Sequence, residues 1–207
     1  MRTLLVIKSS LFNGSGQSSR LADEFAKLWK ANNPGGRVIC RDLAADPVPH
    51  LTAESFQGFG LTAAERSPAQ HAATAVSDSL IAELRAADEV VIGLPMYNFT
   101  VPSTFKAWMD YVARAGVTFR YTESGSQGLL EGKPVHVLCA RGGEYAGTEA
   151  DTQSKLIEMF LGMIGLEDVR FVYAEGLALG EQAQARAFDK AGKAMQKAAA
   201  CAQRLAA

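Results

Sequence analysis

The sequence predicts an α/β fold: one domain across residues 1–207, built on an open sheet of five parallel strands with helices on both faces. Three observations carry that expectation. Strand-like and helix-like patterns alternate along the chain. Val90-Val91-Ile92 is continuously apolar and Pro134 to Ala140 nearly so, as strands covered on both faces are. A length of 207 residues suits one well-buried domain and is short for two. Parallel strands need returning helices, and right-handed crossovers restrict the topology. For the strand order 2-1-3-4-5, a ligand belongs beyond the C-terminal strand ends, between strands one and three.

The first strand is Thr3 to Ile7, followed by the polar loop Lys8 to Ser19 and a helix with Leu21, Phe25, Leu28 and Trp29 on one face. Hydroxyls and glycines feeding a helix start offer free N–H groups and the positive end of the helix dipole, which suit a phosphate. Ser18 or Ser19 would serve equally as an ordinary N-cap. Gly14 and Gly16 begin a GxGxxG whose third glycine is replaced by Ser19, and Asp42 ends the next strand, so a dinucleotide site stays open as a rival.

Asn32 to Gly36 is a turn and Arg37 to Arg41 the second strand. From Asp42 to about Pro68 periodicity is lost, which predicts a long irregular loop over a site or a subunit contact. Ala73, Val76, Leu80, Leu84 and Ala87 mark the second helix, and Val90 to Ile92 the third strand. The stretch Gly93 to Lys106 then carries Pro95, Met96, Tyr97, Asn98 and Phe99 before Pro102 starts a helix at Phe105, Trp108, Met109 and Val112. Two aromatics around an amide at the end of a central strand predict a loop against something planar.

Val117 to Gly128 alternates and predicts an extended excursion with a turn, from which Phe119 and Tyr121 reach outward. Strand four, Pro134 to Ala140, ends in Arg141, Gly142, Gly143, Glu144 and Tyr145. Leu156 to Ile164 is a helix apolar nearly all round, hence deeply buried or at an interface. Strand five is Val169 to Tyr173, and Phe188, Ala191, Met195, Ala198, Ala202 and Leu205 space a terminal helix.

Composition narrows the partners. Hydrophobic residues make up 48% and the formal charge is −1, which argues against disorder and against an electrostatic grip on nucleic acid or membrane. No apolar run approaches the ~20 residues of a membrane helix, and the first residues do not read as a signal peptide, so a cytoplasmic location is expected. Cys40, Cys139 and Cys201 have neither disulfide nor zinc spacing, and no metal is expected. His50, His71 and His136 lack triad partners; His136, inside strand four, reads as structural.

The loops after strands one, three and four should therefore meet at one rim, with a phosphate at one end and a flat, polar-edged ring at the other. Flavin mononucleotide (FMN) fits that description, with Tyr97 and Phe99 flanking the ring, Asn98 and backbone amides at its heteroatom edge, and Gly142-Gly143 admitting close approach. At these residues the chain resembles the FMN-dependent NAD(P)H azoreductases, also described as quinone reductases, over essentially its whole length. The marks are Pro95 to Phe99, Val112 to Thr122, Arg141 to Gly143, Asp168 to Gly176, Lys8 to Ser10 and Arg41 to Ala44.

That resemblance implies a flavodoxin-like fold. It implies Ser10, Gly16, Gln17 and Ser18 at the phosphate and ribityl end, and Pro95, Met96, Tyr97, Asn98, Phe99, Ala140, Arg141, Gly142 and Gly143 at the isoalloxazine. It implies ping-pong chemistry through flavin N5, with NADH or NADPH as donor, quinones and aromatic azo compounds as acceptors, and no catalytic side chain. A homodimer with a shared active site is also implied. Phe99, Phe119, Tyr121 and Tyr145 would line the substrate pocket, with Phe119, Tyr121 and the Leu156 to Ile164 helix as candidates to cross between subunits.

Two positions depart from the family pattern: Gly16 and Ala140 each stand where a serine is usual. A lost hydrogen bond of this kind is worth about 0.5–1.5 kcal/mol, so weaker FMN retention is expected, and restoring serine at either position should tighten it. Rival functions are an acidic flavodoxin-type electron carrier, which the charge of −1 disfavours, a dehydrogenase using Gly14, Gly16 and Asp42, and a plain α/β binding module.

Overall fold

The computed structural model describes residues 1–201. Five strands form one parallel sheet: β1 (Thr3–Lys8), β2 (Arg37–Asp42), β3 (Glu89–Pro95), β6 (Val135–Ala140) and β7 (Val169–Ala174), in the order β2-β1-β3-β6-β7. Numbered among themselves, these strands have the expected order 2-1-3-4-5. Between β3 and β6 a separate antiparallel hairpin, β4 (Phe119–Thr122) and β5 (Gly125–Gly128), forms the excursion that alternation predicts.

Period-two alternation splits the core into two layers. Leu5, Ile7, Val90, Ile92, Val137 and Cys139 face α3 (Pro68–Ala86), α4 (Ser103–Val112) and α5 (Thr152–Ile164). Leu4, Val6, Val91 and Leu138 face α1 (Gln17–Asn32) and α6 (Glu181–Cys201) through Phe25, Trp29, Ala191 and Met195. Ala202 and Leu205, expected on the terminal helix, lie outside the described residues.

The irregular loop expected between Asp42 and Pro68 is corrected: it contains α2 (Ala53–Gly60) and a 3-10 turn at Ala63–Glu65. Packing decides this helix more than its own pattern does. Thr52 caps it by accepting from the Ser55 N–H, Phe59 meets Tyr111 edge-on at 5.7 Å, and Gly58 lies so close to α3 that a Cβ there would fall 2.7 Å from Gln70 Cβ. Pro102 is the residue just before α4, one place earlier than expected.

Parallel register aligns the C-terminal ends of the strands. Lys8 pairs with Asp42 and with Gly93, and Pro95 pairs with Ala140, which pairs with Ala174. The loops after β1, β3, β6 and β7 therefore leave from one rim. A Cβ on Gly93 would lie 2.7 Å from Ser18 O, so this glycine is what lets the first turn of α1 sit against β3.

Candidate functional site

At the phosphate end, α1 begins at Gln17 after Gly16, and no side chain caps it. Ser18 and Ser19 are therefore in the first turn and not N-caps. Both hydroxyls are buried without a hydrogen-bond partner. Leaving such groups unmatched costs about 1–3 kcal/mol each. A helix start with free amides beside an unmatched buried hydroxyl is a cradle for a phosphate. Asp42 is unsuited to a ribose, since its Oδ1 already accepts from the Ala44 N–H at 3.0 Å and the Ala45 N–H at 3.3 Å.

The ring end is a strained turn. Tyr97 and Thr100 exchange both backbone hydrogen bonds, at 3.0 and 3.1 Å, and the two residues between them, Asn98 and Phe99, have φ of 49° and 64°. That is a two-residue hairpin turn with both central residues left-handed, where Asn-Gly is the usual pair. Asparagine tolerates the conformation; phenylalanine there costs roughly 1–2 kcal/mol. The reward is a presented side chain, since Phe99 is 53% exposed and meets the Tyr145 ring edge-on at 5.6 Å.

A cleft of about 250 Å³ joins the two ends. Among its walls are Ser10 after β1, Gln17 and Ser18 at the start of α1, Pro95 to Tyr97 at the end of β3, and Ala140 to Gly142 at the end of β6. Phe12, Leu177, Ala178 and Gln184 complete it and were not expected from sequence. The signal for Leu177 and Ala178 was available, because the loop after β7 leaves from the same rim. Asn98 faces instead a neighbouring hollow of about 800 Å³, which Met96 and Tyr97 share with the cleft. The Tyr97 hydroxyl accepts from the Leu11 N–H at 3.3 Å and so ties the first two loops together.

The carbonyls of Arg141, Gly142 and Gly143 accept from the N–H groups of Leu177, Ala178 and Gly176 at 3.0–3.1 Å. Among the described residues, the Gly142 and Gly143 N–H groups have no such partner, so this edge offers two donors. A Cβ on Gly143 would fall 2.7 Å from the Tyr145 hydroxyl: the space made by this glycine is filled by Tyr145.

Arg141 differs from the expected ring contact in its side chain. The guanidinium is buried away from solvent, 2.8 Å from Asp151 and 3.1 Å from Glu175, and lies over the Tyr173 ring. Glu175 Oε1 also accepts from the Tyr145 and Ala146 N–H groups, both at 2.9 Å. Burial pushes the Asp151 carboxyl up, but Arg141 and the Ser154 N–H and hydroxyl outweigh it and hold the group below the usual carboxylate range. Burial pushes the Cys139 thiol up to about 12, against the lowering pull of Arg141.

Gly16 also differs. A Cβ there would stand 2.0 Å from Ser10 Oγ and 2.5 Å from Ser10 Cβ. Serine at position 16 thus cannot simply restore a hydroxyl, because Ser10 would have to move to admit it. Of the other site residues, Phe119 is buried under its own hairpin against Tyr121, whereas Tyr121 is 79% exposed. His136 is buried against Glu89 at the opposite rim, as a structural residue would be.

A profile described as the flavodoxin-like fold matches residues 1–199. The chain belongs to that family. Among its relatives, an FMN-dependent NADH:quinone oxidoreductase of Cellvibrio japonicus is 53% identical over 190 residues, covering 92% of this chain and 96% of its own. One numbered 6 from Burkholderia lata is 49% identical over 198 residues, covering 96% and 100%. The solved structure of an FMN-dependent NADH-azoreductase from Bacillus anthracis, in complex with FMN, superposes on this flavodoxin-like chain with a TM-score of 0.87 at 26% identity, covering 100% of both.

Proposed function

We propose that this protein is an FMN-dependent NADH:quinone oxidoreductase that also reduces aromatic azo compounds. The observation that carries the reading is the cleft itself. An uncapped helix start with the buried, unmatched Ser18 hydroxyl lies at one end, and Met96, Tyr97 and the Gly142 edge lie at the other. A phosphate joined to a planar ring by a polar chain matches that order of surfaces.

Ser10, Gln17, Ser18 and the first amides of α1 hold the phosphate and ribityl end. Pro95, Met96 and Tyr97 would bear on the ring, and the free Gly142 and Gly143 N–H groups would donate to its heteroatom edge. Bound FMN supplies two-electron redox chemistry that no side chain here provides. Phe99, with Tyr145 at its edge, presents an exposed aromatic wall on which flat donors and acceptors stack in turn. No side chain in the cleft is assigned as acid or base.

The chain works as a homodimer in which subunits share the site. Thr152, Leu156 and Met159 lie along one stripe of α5, beginning beside Phe99, and Met159 is 66% exposed. With Leu156 also lining the larger hollow, this apolar stripe favours a subunit contact. Tyr121, at the hairpin, is the candidate to reach across, while Phe119 supports it from below. No helix among the described residues is long and apolar enough to cross a membrane.

The test is an absorption spectrum of purified protein before and after adding FMN, followed by NADH oxidation with benzoquinone. A flavin band and turnover are expected. A protein that neither retains FMN nor oxidises NADH would overturn the reading, and bound flavin without turnover would make it an electron carrier.

A further inference from the structure

We infer that Thr152 and Gln153, the first two residues of α5, are positioning residues that hold the ring-end turn in its active shape. Gln153 is fully buried and uses its whole amide. Its Nε2 donates to Pro95 O at 2.8 Å and to Thr100 O at 3.2 Å, the two ends of the Met96 to Phe99 loop. Its Oε1 accepts from Arg141 Nε at 3.3 Å and Nη2 at 3.2 Å. Thr152 Oγ1 donates to Phe99 O, inside the turn.

A left-handed phenylalanine persists only where its surroundings over-determine the backbone. Here three of the carbonyls from Pro95 to Thr100 are pinned from one helix start. The same start fixes the third loop: Asp151 and Ser154 bind Arg141 at 2.8 and 2.9 Å, and Arg141 holds Glu175, which holds the Tyr145 and Ala146 amides. Among the described residues, Gln153 is thus the one side chain that bonds both the loop after β3 and the arginine that opens the loop after β6. Only a primary amide gives two donors on one side and an acceptor on the other. Glutamate keeps the shape but sets a carboxylate against two carbonyls, and methionine keeps the volume with neither function.

The inference rests on the ring lying at Pro95 to Tyr97, as proposed above, and the test separates the two. Apo-protein variants are titrated with FMN while the visible band and flavin fluorescence are followed. Gln153→Glu and Gln153→Met should raise the FMN dissociation constant about tenfold or more and return the bound band toward that of free FMN, as loss of two buried hydrogen bonds implies. Thr152→Val, at an exposed position that leaves folding intact, should raise it about threefold to tenfold with a smaller spectral change, and Thr152→Ser should behave as the parent. A residue that only stabilised the fold would lower the melting temperature and leave the bound spectrum alone. Met96→Ala, on the cleft wall itself, is the control on ring placement. If it moves the spectrum while Thr152→Val stays within twofold of the parent in both readouts, the positioning inference is overturned. If neither has an effect, the ring placement falls as well and takes the inference with it.

Discussion

Glu89 Oε1 and His136 Nε2 lie 2.8 Å apart, both side chains fully buried, at the N-terminal edge of the sheet. The other oxygen of Glu89 accepts from Trp29 Nε1 at 2.7 Å and Arg2 Nη2 at 3.1 Å, so one carboxylate joins α1, β3, β6 and the residue just before β1. Removing one member of a buried charged cluster leaves its partners unmatched. Glu89→Ala should therefore cost about 3–5 kcal/mol in urea unfolding. The site is roughly 20 Å away along β3, so the folded fraction should keep the parental flavin spectrum. A cost below about 1 kcal/mol would show that the cluster is not an anchor.

The two departures from serine should part company. Gly16→Ser drives its Cβ into Ser10 and should raise the FMN dissociation constant about tenfold, while the pair Ser10→Gly with Gly16→Ser should recover part of the loss. Ala140 stands on the cleft wall, and Ala140→Ser adds a hydroxyl there that should tighten FMN by up to about tenfold. Fluorescence titration of the four proteins decides it; tighter binding by Gly16→Ser would refute the steric account.

Asp151 carries an acid signature. Its carboxyl is depressed in the folded chain, so its contribution is fully present above the ordinary carboxylate range and is lost as pH falls below that range through the folded value. Asp151→Asn should lower the melting temperature at neutral pH and flatten the acid limb relative to the parent. Parallel stability–pH curves for the two proteins would remove Asp151 from the account.

Cys139 should be silent towards thiol reagents. It is buried in β6 with its thiol pushed up to about 12, so at pH 8 almost none is thiolate. Peptide mapping after iodoacetamide treatment should find Cys139 unmodified in native protein and modified in urea. Native labelling faster than global unfolding would contradict that burial.

The strand order, the rim of loops and those cleft residues that follow β1, β3 and β6, Phe12 apart, were legible because apolar strands and polar loops leave strong signals. What escaped was set by tertiary contacts. α2 is held by Phe59 and Gly58 against other helices, so no period betrays it. The inward turn of the Arg141 side chain depends on Asp151 and Glu175, which are distant in sequence. The turn at Asn98-Phe99 hides because its second residue is not glycine. Ser10 and Gly16 each look ordinary alone; only their proximity reveals that one excludes a side chain on the other.

The left-handed backbone of Phe99 also divides the aromatic wall into a constrained half and a free half. Residue 99 admits glycine or asparagine with relief and β-branched residues only with added strain, whereas Tyr145 is not among the residues with positive φ. Substitution of this wall is thereby channelled to position 145, while the choice at position 99 is narrowed by the backbone that presents it.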